Sequence, residues 1–400
     1  MLREPHRMLT ALSLMAAACG APAVRAPEPP PRPALDAAAF GGLIARLSEP
    51  GGYFPSENLV SNETSYLHVM GALQRLGTRG GAYIGVGPDQ NFSWIAQIRP
   101  EIAFIIDIRR DNLLEQFLFK ALFAMARNRL EYLCLMTGTP VPAGPERWDD
   151  ADIGTIVAYV DSTKSDPALM ERTLDDVRAR VQAWGYPLDV TDLEGIRRIH
   201  LAFFEGGLDV RYSNRGRYVF YPTWRQLILA TDLEGTRAGY LATEERWRFV
   251  KDLERRNRIV PVVGDLAGAH ALSGISDVVR RRGLVVSAFY TSNVEQYLFQ
   301  NGTFPRFGTS VTTLPSGPNS VIIRSYFRGR HPQNVPGHTS TQVLVRLADF
   351  DRSFAAGEYR TYYDVVTLNA LPLLPRKPDG PPQWEVPVPW PRTAASRRTP

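Results

Sequence analysis

The chain has 400 residues, 44% of them hydrophobic and 22% charged, a composition that supports a packed core and excludes a disordered or fibrous protein. Its net charge of +5 comes from 46 basic against 41 acidic residues, and because the two signs are interspersed there is no basic stripe for a nucleic acid backbone. Two cysteines, Cys19 and Cys134, exclude a disulfide framework and a cysteine-rich zinc site.

Arg3 and Arg7 precede an apolar run at 8–18 that is too short to be a permanent membrane span and reads as a secretory signal. The run ends in Ala16-Ala17-Ala18-Cys19 and resembles a bacterial lipoprotein signal, with Ala16 where that signal usually has leucine. The resemblance implies a signal at 1–19, a lipid on Cys19 and a protein tied by that lipid to a membrane of the cell envelope, on its periplasmic face. Cleavage after an Ala-x-Ala site and an uncleaved, cytoplasmic start are the alternatives. Residues 20–36, with prolines clustered between Pro27 and Pro33, form an extended tether. A second proline-rich stretch, 371–400, is expected to be a tail partly pinned by Trp384 and Trp390.

Between them, 37–370 is expected to be one α/β domain with a helical insertion at about 140–255. Short apolar, β-branched runs predict strands at 82–86, 102–108, 259–263, 284–290, 321–326 and 342–347. Apolar residues recurring at three and four predict helices at 113–135, 174–184, 193–204, 243–256 and 272–281. Strands buried on both faces and joined by helical crossovers make a doubly wound, mainly parallel, Rossmann-like sheet with helices on both faces. The last two runs lack a long helix between them, which suits antiparallel closing strands.

The first strand runs into a glycine turn, Gly85-Val86-Gly87, followed by Asp89, Gln90 and Asn91 at a helix start. Glycines there let backbone come close to a ligand, and the polar residues offer it oxygen and amide groups. The second strand ends with Asp107, twenty residues after Gly87, where an acid accepts hydrogen bonds from ribose hydroxyls. A tight strand-to-helix turn with Asp107 capping the next helix is the structural alternative. Asn91 replaces the third glycine of a dinucleotide motif and Asp89 is anionic, so pyrophosphate is disfavoured and a nucleoside with a cationic or zwitterionic tail is preferred.

This pattern resembles the class I S-adenosylmethionine-dependent methyltransferases, with Gly85 to Gly87 as the first glycine motif and Asp107 as the acid of the second strand. More narrowly, YIGVGPDQNF, FIIDIRRDN, VVGDLAG and FYTSNVEQYL are similar to stretches of a family of uncharacterised bacterial proteins, over roughly residues 41–350. The resemblance implies a sheet of methyltransferase type, S-adenosylmethionine as cofactor held by Gly85, Gly87, Asp89, Asn91 and Asp107, and Asp265 at the adenine amino group. Asn293 and Glu295, after the fourth strand, are candidates for substrate contact. Glu63, with Asn62, lies in an N-terminal segment of the kind that covers the cofactor in such folds. The alternatives are structural: Ser292 or Asn293 capping a helix with Glu295 in its first turn, and Asn62 capping a helix over 63–73.

One of Arg109 and Arg110 is expected to pair with a nearby acid. Six histidines lack metal-ligand spacing, His331 and His338 being the one pair to test, and no metal site is expected. Neither a GxSxG motif nor a catalytic-cysteine signature occurs, and Cys134 reads as core. S-adenosylmethionine is made in the cytosol, whereas the N-terminus argues for export. Two readings follow: a methyltransferase-like enzyme, in which Asn293 or Glu63 orients the acceptor, and a lipid-anchored envelope protein that keeps the fold to bind a small-molecule ligand without catalysis.

Overall fold

Short β-branched runs with no polar interruption have no face to offer water, and a computed structural model buries nearly every residue of them in one six-stranded sheet. The structure describes residues 33–213, 221–327 and 331–375. The signal with Cys19, the tether up to residue 32 and the tail from 376, with Trp384 and Trp390, lie outside the described residues.

The strands are β1 (Ala82–Gly85), β2 (Ile102–Asp107), β3 (Ile259–Val263), β4 (Val286–Ser292), β5 (Val321–Tyr326) and β6 (Thr341–Arg346). Their order is β3-β2-β1-β4-β5-β6, parallel except for the antiparallel β5–β6 pair. Pro261 lies in β3, an edge strand, where its missing N–H leaves no gap in the interior ladder. This is an α/β fold with a Rossmann-like, mostly parallel mixed sheet.

Helices pack around it. In chain order they are α1 (Ala37–Leu47), α2 (Met70–Leu76), α3 (Gln90–Ile98), α4 (Arg110–Met125), α5 (Arg129–Thr137), α6 (Ile153–Ser162), α7 (Pro167–Gln182) and α8 (Val190–Gly206). After them come α9 (Trp224–Ile228), α10 (Glu244–Arg255), α11 (Ala271–Arg281), α12 (Val294–Gln300), α13 (Phe304–Thr312), α14 (Leu347–Ala355) and α15 (Tyr362–Thr367). Seven of them, α4 to α10, lie between β2 and β3. Among the described residues no helix is long and apolar enough to cross a membrane.

One expected helix and one helix of the alternative reading differ. The continuous helix at 113–135 is two, because Asn128 turns extended (φ −146°, ψ 177°) and its side chain caps α5 by accepting from the Glu131 N–H. The helix at 63–73 is replaced by turns, with α2 starting only at Met70, because Glu63 and Ser65 direct their side chains to residues far along the chain.

The ends of the described body are docked. Leu35 N–H donates to the Arg256 carbonyl and Leu371 N–H to the Leu344 carbonyl at 2.8 Å, so the tether joins the body by Leu35 and the tail begins against β6.

Candidate functional site at the carboxyl edge of the sheet

In this order β1 and β4 are neighbours whose connections leave in opposite directions, which opens a crevice outside their carboxyl ends, the usual ligand position in open α/β sheets. Residues 48–63 cross that edge from one strand end to the next. Glu49 N–H donates to the Val263 carbonyl after β3, and Gly52 N–H to the Ile108 carbonyl after β2. Asn58 flanks Gly87 after β1, and Glu63 reaches Tyr290 and Ser292 at the end of β4. The segment forms a strap over this edge.

Gly87 has φ +83°, a conformation that favours glycine, and the space beside it is bordered by the amides of Asn58 and Gln90. The turn is held from inside by Asn91, whose Nδ2 donates to the Val86 and Pro88 carbonyls at 2.9 and 2.8 Å while its Oδ1 accepts from the Tyr83 hydroxyl at 2.7 Å. Asn91, expected to face a cofactor, spends its polar atoms on the turn. Gly85 serves the same packing, since a Cβ there would lie 2.0 Å from Asn91 Oδ1.

Asp89 is turned toward the helical insertion, its Oδ2 accepting from Trp224 Nε1 at 2.8 Å and the Tyr240 hydroxyl at 3.2 Å. Tyr66, Gln90, Trp224 and Tyr240 line a cavity of about 10 Å³ beside it, room for one water. Burial pushes the Asp89 carboxyl up to about 6, against the hydrogen bonds from Trp224 and Tyr240. The folded state therefore holds that proton more tightly than the unfolded chain, and the stability this group contributes is present in full below about pH 4 and lost as pH rises through about 6. Asp89→Asn keeps an acceptor for Trp224 and Tyr240 and removes the charge. The variant is expected to match the wild type in guanidinium unfolding at pH 4 and to exceed it by about 3 kcal/mol at pH 8, from roughly two pKa units. A difference that does not change with pH would place the Asp89 carboxylate in a water-like setting.

Asp107 stands at the end of β2 and is forked by Arg109: Oδ1 accepts from Nε at 3.1 Å and from the backbone N–H at 2.9 Å, Oδ2 from Nη2 at 3.0 Å. Arg109 Nη1 continues to the Glu57 carbonyl at 2.8 Å, tying β2 to the strap. Arg110 pairs with Asp192 instead, so both arginines are committed. Asp265 follows β3, its Oδ1 accepting from Ala267 N–H at 2.9 Å and its own N–H donating to Glu49 Oε1.

Beside the glycine turn lies a group that the sequence reasoning missed. Asn112, Glu115 and Gln116 share one face of α4 at i, i+3 and i+4, and all three are buried. Gln116 Nε2 donates to the Gly87 carbonyl at 3.4 Å. The Oε1 atoms of Gln90, Glu115 and Gln116 and both side-chain polar atoms of Asn112 are buried without a hydrogen-bond partner. Glu115, 2% exposed, has its carboxyl raised well above the ordinary range because burial outweighs the attraction of Arg109, with Asp89 and Asp107 adding repulsion. Glu115 and Gln116 inside the apolar 113–123 stretch, with Asn112 just before it, were the available signal.

At the β4 end, Glu63 is 1% exposed and accepts three hydrogen bonds of 2.6 Å, from the Tyr290 and Ser292 hydroxyls to Oε1 and from Gln342 Nε2 to Oε2. Its carboxyl is raised because burial outweighs those bonds. Tyr290 also accepts from Gln90 Nε2 at 3.4 Å, which links Glu63 to the glycine turn. Asn293 is the half-buried residue between β4 and α12 and makes no side-chain cap. Glu295, expected to meet substrate, is instead fully buried against Arg324 Nε, with both oxygens 2.9 Å away.

Among the described residues no cluster of three or more metal-ligating side chains occurs. His331 Nε2 meets the Val366 carbonyl, whereas the His338 ring packs on His68 with centroids 4.4 Å apart. Cys134 is core, its thiol pushed by burial up to about 12.

Residues 58–141 and 212–363 match the model of a domain family of unknown function, DUF7790, and together make up more than half of the chain. The chain belongs to this family. A comparison with curated proteins finds none that matches. The DUF7790 segments contain Glu63, the glycine turn, Asp107, the α4 triplet and the β4 end, while all of α6 to α8 lies between them.

Proposed function

We propose that the chain holds a nucleoside-type ligand at the glycine turn and acts as an S-adenosylmethionine-dependent methyltransferase-like protein. The observation that carries this reading is the unused hydrogen-bonding capacity of Gln90, Asn112, Glu115 and Gln116 around Gly87 at the β1–β4 crevice. Buried polar atoms without partners are costly, so such a set is built for something that supplies the missing bonds. Most of the orphaned atoms are acceptors, and they call for a ligand rich in donors.

The residues fit S-adenosylmethionine on chemical grounds. Its ammonium group and ribose hydroxyls are donors, and its net positive charge suits Asp89 and Asp107, which oppose a pyrophosphate. Asp107 Oδ2 accepts one hydrogen bond and keeps a lone pair for a ribose hydroxyl, while Arg109 fixes the orientation of the carboxylate. When bound, the group supplies an electrophilic methyl on a sulfonium centre. The chain's own part is to bind, to orient and, through the strap, to exclude water. The strand order and the antiparallel last pair also suit a sheet of methyltransferase type.

A second reading rests on Arg3, Arg7, the apolar run and Cys19: a lipid-anchored envelope protein that uses the same crevice to bind without catalysis. Calorimetric titration of S-adenosylmethionine and S-adenosylhomocysteine into the full chain separates the two. Micromolar binding weakened at least tenfold by Asp107→Ala or Glu115→Gln is the expected result. A folded wild type that takes up neither compound would overturn the methyltransferase reading and leave the binding reading.

A further inference from the structure

We propose that Ser292 is an activatable nucleophile, with Glu63 as its general base, in acyl transfer from a neutral ester. The proposal goes beyond methyl transfer and stands without it.

Three independent features meet at Ser292. The first is its backbone: φ is +53°, a conformation that favours glycine. Three of the other four non-glycine residues with positive φ among those described are asparagines, which tolerate it, and Arg99 ends a helix. Ser292 has neither excuse, and strain of this kind gathers at functional sites. The second is the strand: pairing with β5 slips between Tyr290 and Ser292, a bulge that re-aims the serine at the strand end. Only Asn293 separates it from α12, so Ser292 occupies a sharp strand-to-helix turn, the position from which a nucleophile elbow presents its hydroxyl. The GxSxG signature is absent because Tyr290 and Val294 stand where that motif has glycines.

The third feature is the base. Ser292, a half-buried residue, donates from Oγ to Glu63 Oε1 at 2.6 Å, and the carboxylate that accepts is buried. Every hydrogen-bond partner of Glu63 is neutral, so no cation lowers its appetite for a proton. Burial makes it a stronger base than an exposed carboxylate. Tyr290 and Gln342 fix its orientation, as the third member of a catalytic triad does for the base. The absence of a cation partner also favours uncharged acyl donors over anionic ones.

The steps balance. Ser292 Oγ attacks the ester carbonyl carbon while its proton passes to Glu63 Oε1. The bond to the alcohol oxygen breaks and the departing alkoxide takes that proton. Water then attacks the acyl-serine and gives a proton to Glu63. Ser292 Oγ leaves and regains it, releasing the carboxylic acid.

The test uses the full chain and a fluorophosphonate probe, with p-nitrophenyl acetate as ester. The probe forms an Oγ–P bond and releases fluoride, and peptide mapping locates the adduct. Wild-type protein is expected to be labelled at Ser292 and to release p-nitrophenol above background. Ser292→Gly suits the positive φ, so it is expected to keep the melting temperature and to lose both signals. Glu63→Gln is expected to fold, because the Gln342 amide can flip to present its unpartnered Oε1 to the new amide and to the Ser325 hydroxyl, and to be labelled at least tenfold more slowly. Absence of label in folded wild type, label mapped elsewhere, or Ser292→Gly and Glu63→Gln labelled at the wild-type rate would each overturn the proposal.

Discussion

Replacing Glu295 by alanine is expected to destabilise the protein by about 3–5 kcal/mol, the cost of leaving one partner of a buried ion pair alone. Both side chains are 0% exposed. Arg324 lies over the Phe350 ring at 5.3 Å, and its Nη1 and Nη2 atoms already lack hydrogen-bond partners, so Glu295 is what balances its charge. The loss also reaches the candidate site. Glu295 Oε2 accepts from the Thr291 hydroxyl at 3.0 Å, and Arg324 is the β5 residue opposite Ser292, so the pair clamps the bulge from below. Glu295→Ala together with Arg324→Met removes both charges and is expected to recover most of the stability without restoring the clamp. Guanidinium midpoints of the two single variants and the double variant check this. A loss below about 1 kcal/mol for Glu295→Ala would mean that water reaches Arg324, contrary to the burial of the pair.

The sheet was legible because its strands carry their signal locally. The six β-branched runs were found within two residues of their ends. Asp107 at the end of β2 follows from strand length, and so does the glycine turn after β1. What stayed hidden depends on contacts between distant segments. Helix α4 is buried on nearly every side, between β2 and β3 on one hand and α7, α8 and α10 on the other, so Glu115 and Gln116 fall in the interior where an amphipathic reading puts solvent. Glu63 looked like part of a capped helix, yet the pull of Tyr290, Ser292 and Gln342, each more than 200 residues away, outweighs local propensity. The positive φ of Ser292 has no sequence signature, because the usual residue for it is glycine.

Gly85 shows how a correct motif can have a different physical cause, and its substitution is expected to have the other large effect. In sequence the glycine makes room for a ligand. In the structure the room is taken: Asn91 Oδ1 lies 2.0 Å, and the Tyr83 hydroxyl 2.6 Å, from where a Cβ would stand. Gly85→Ala therefore has to expel Asn91, which donates to the Val86 and Pro88 carbonyls and accepts from Tyr83. Those groups are buried, and unpairing them is expected to cost about 3–5 kcal/mol, from roughly 1–3 kcal/mol for each orphaned group with part of the set recovered by relaxation. The cause is separable by a double-mutant cycle. In an Asn91→Ala background the clash with the amide is gone, so Gly85→Ala should cost at least about 1 kcal/mol less than in the wild type, a coupling of the size seen between side chains in contact. Strict additivity in chemical unfolding would mean that Gly85 acts independently of Asn91, and would return the glycine to the ligand.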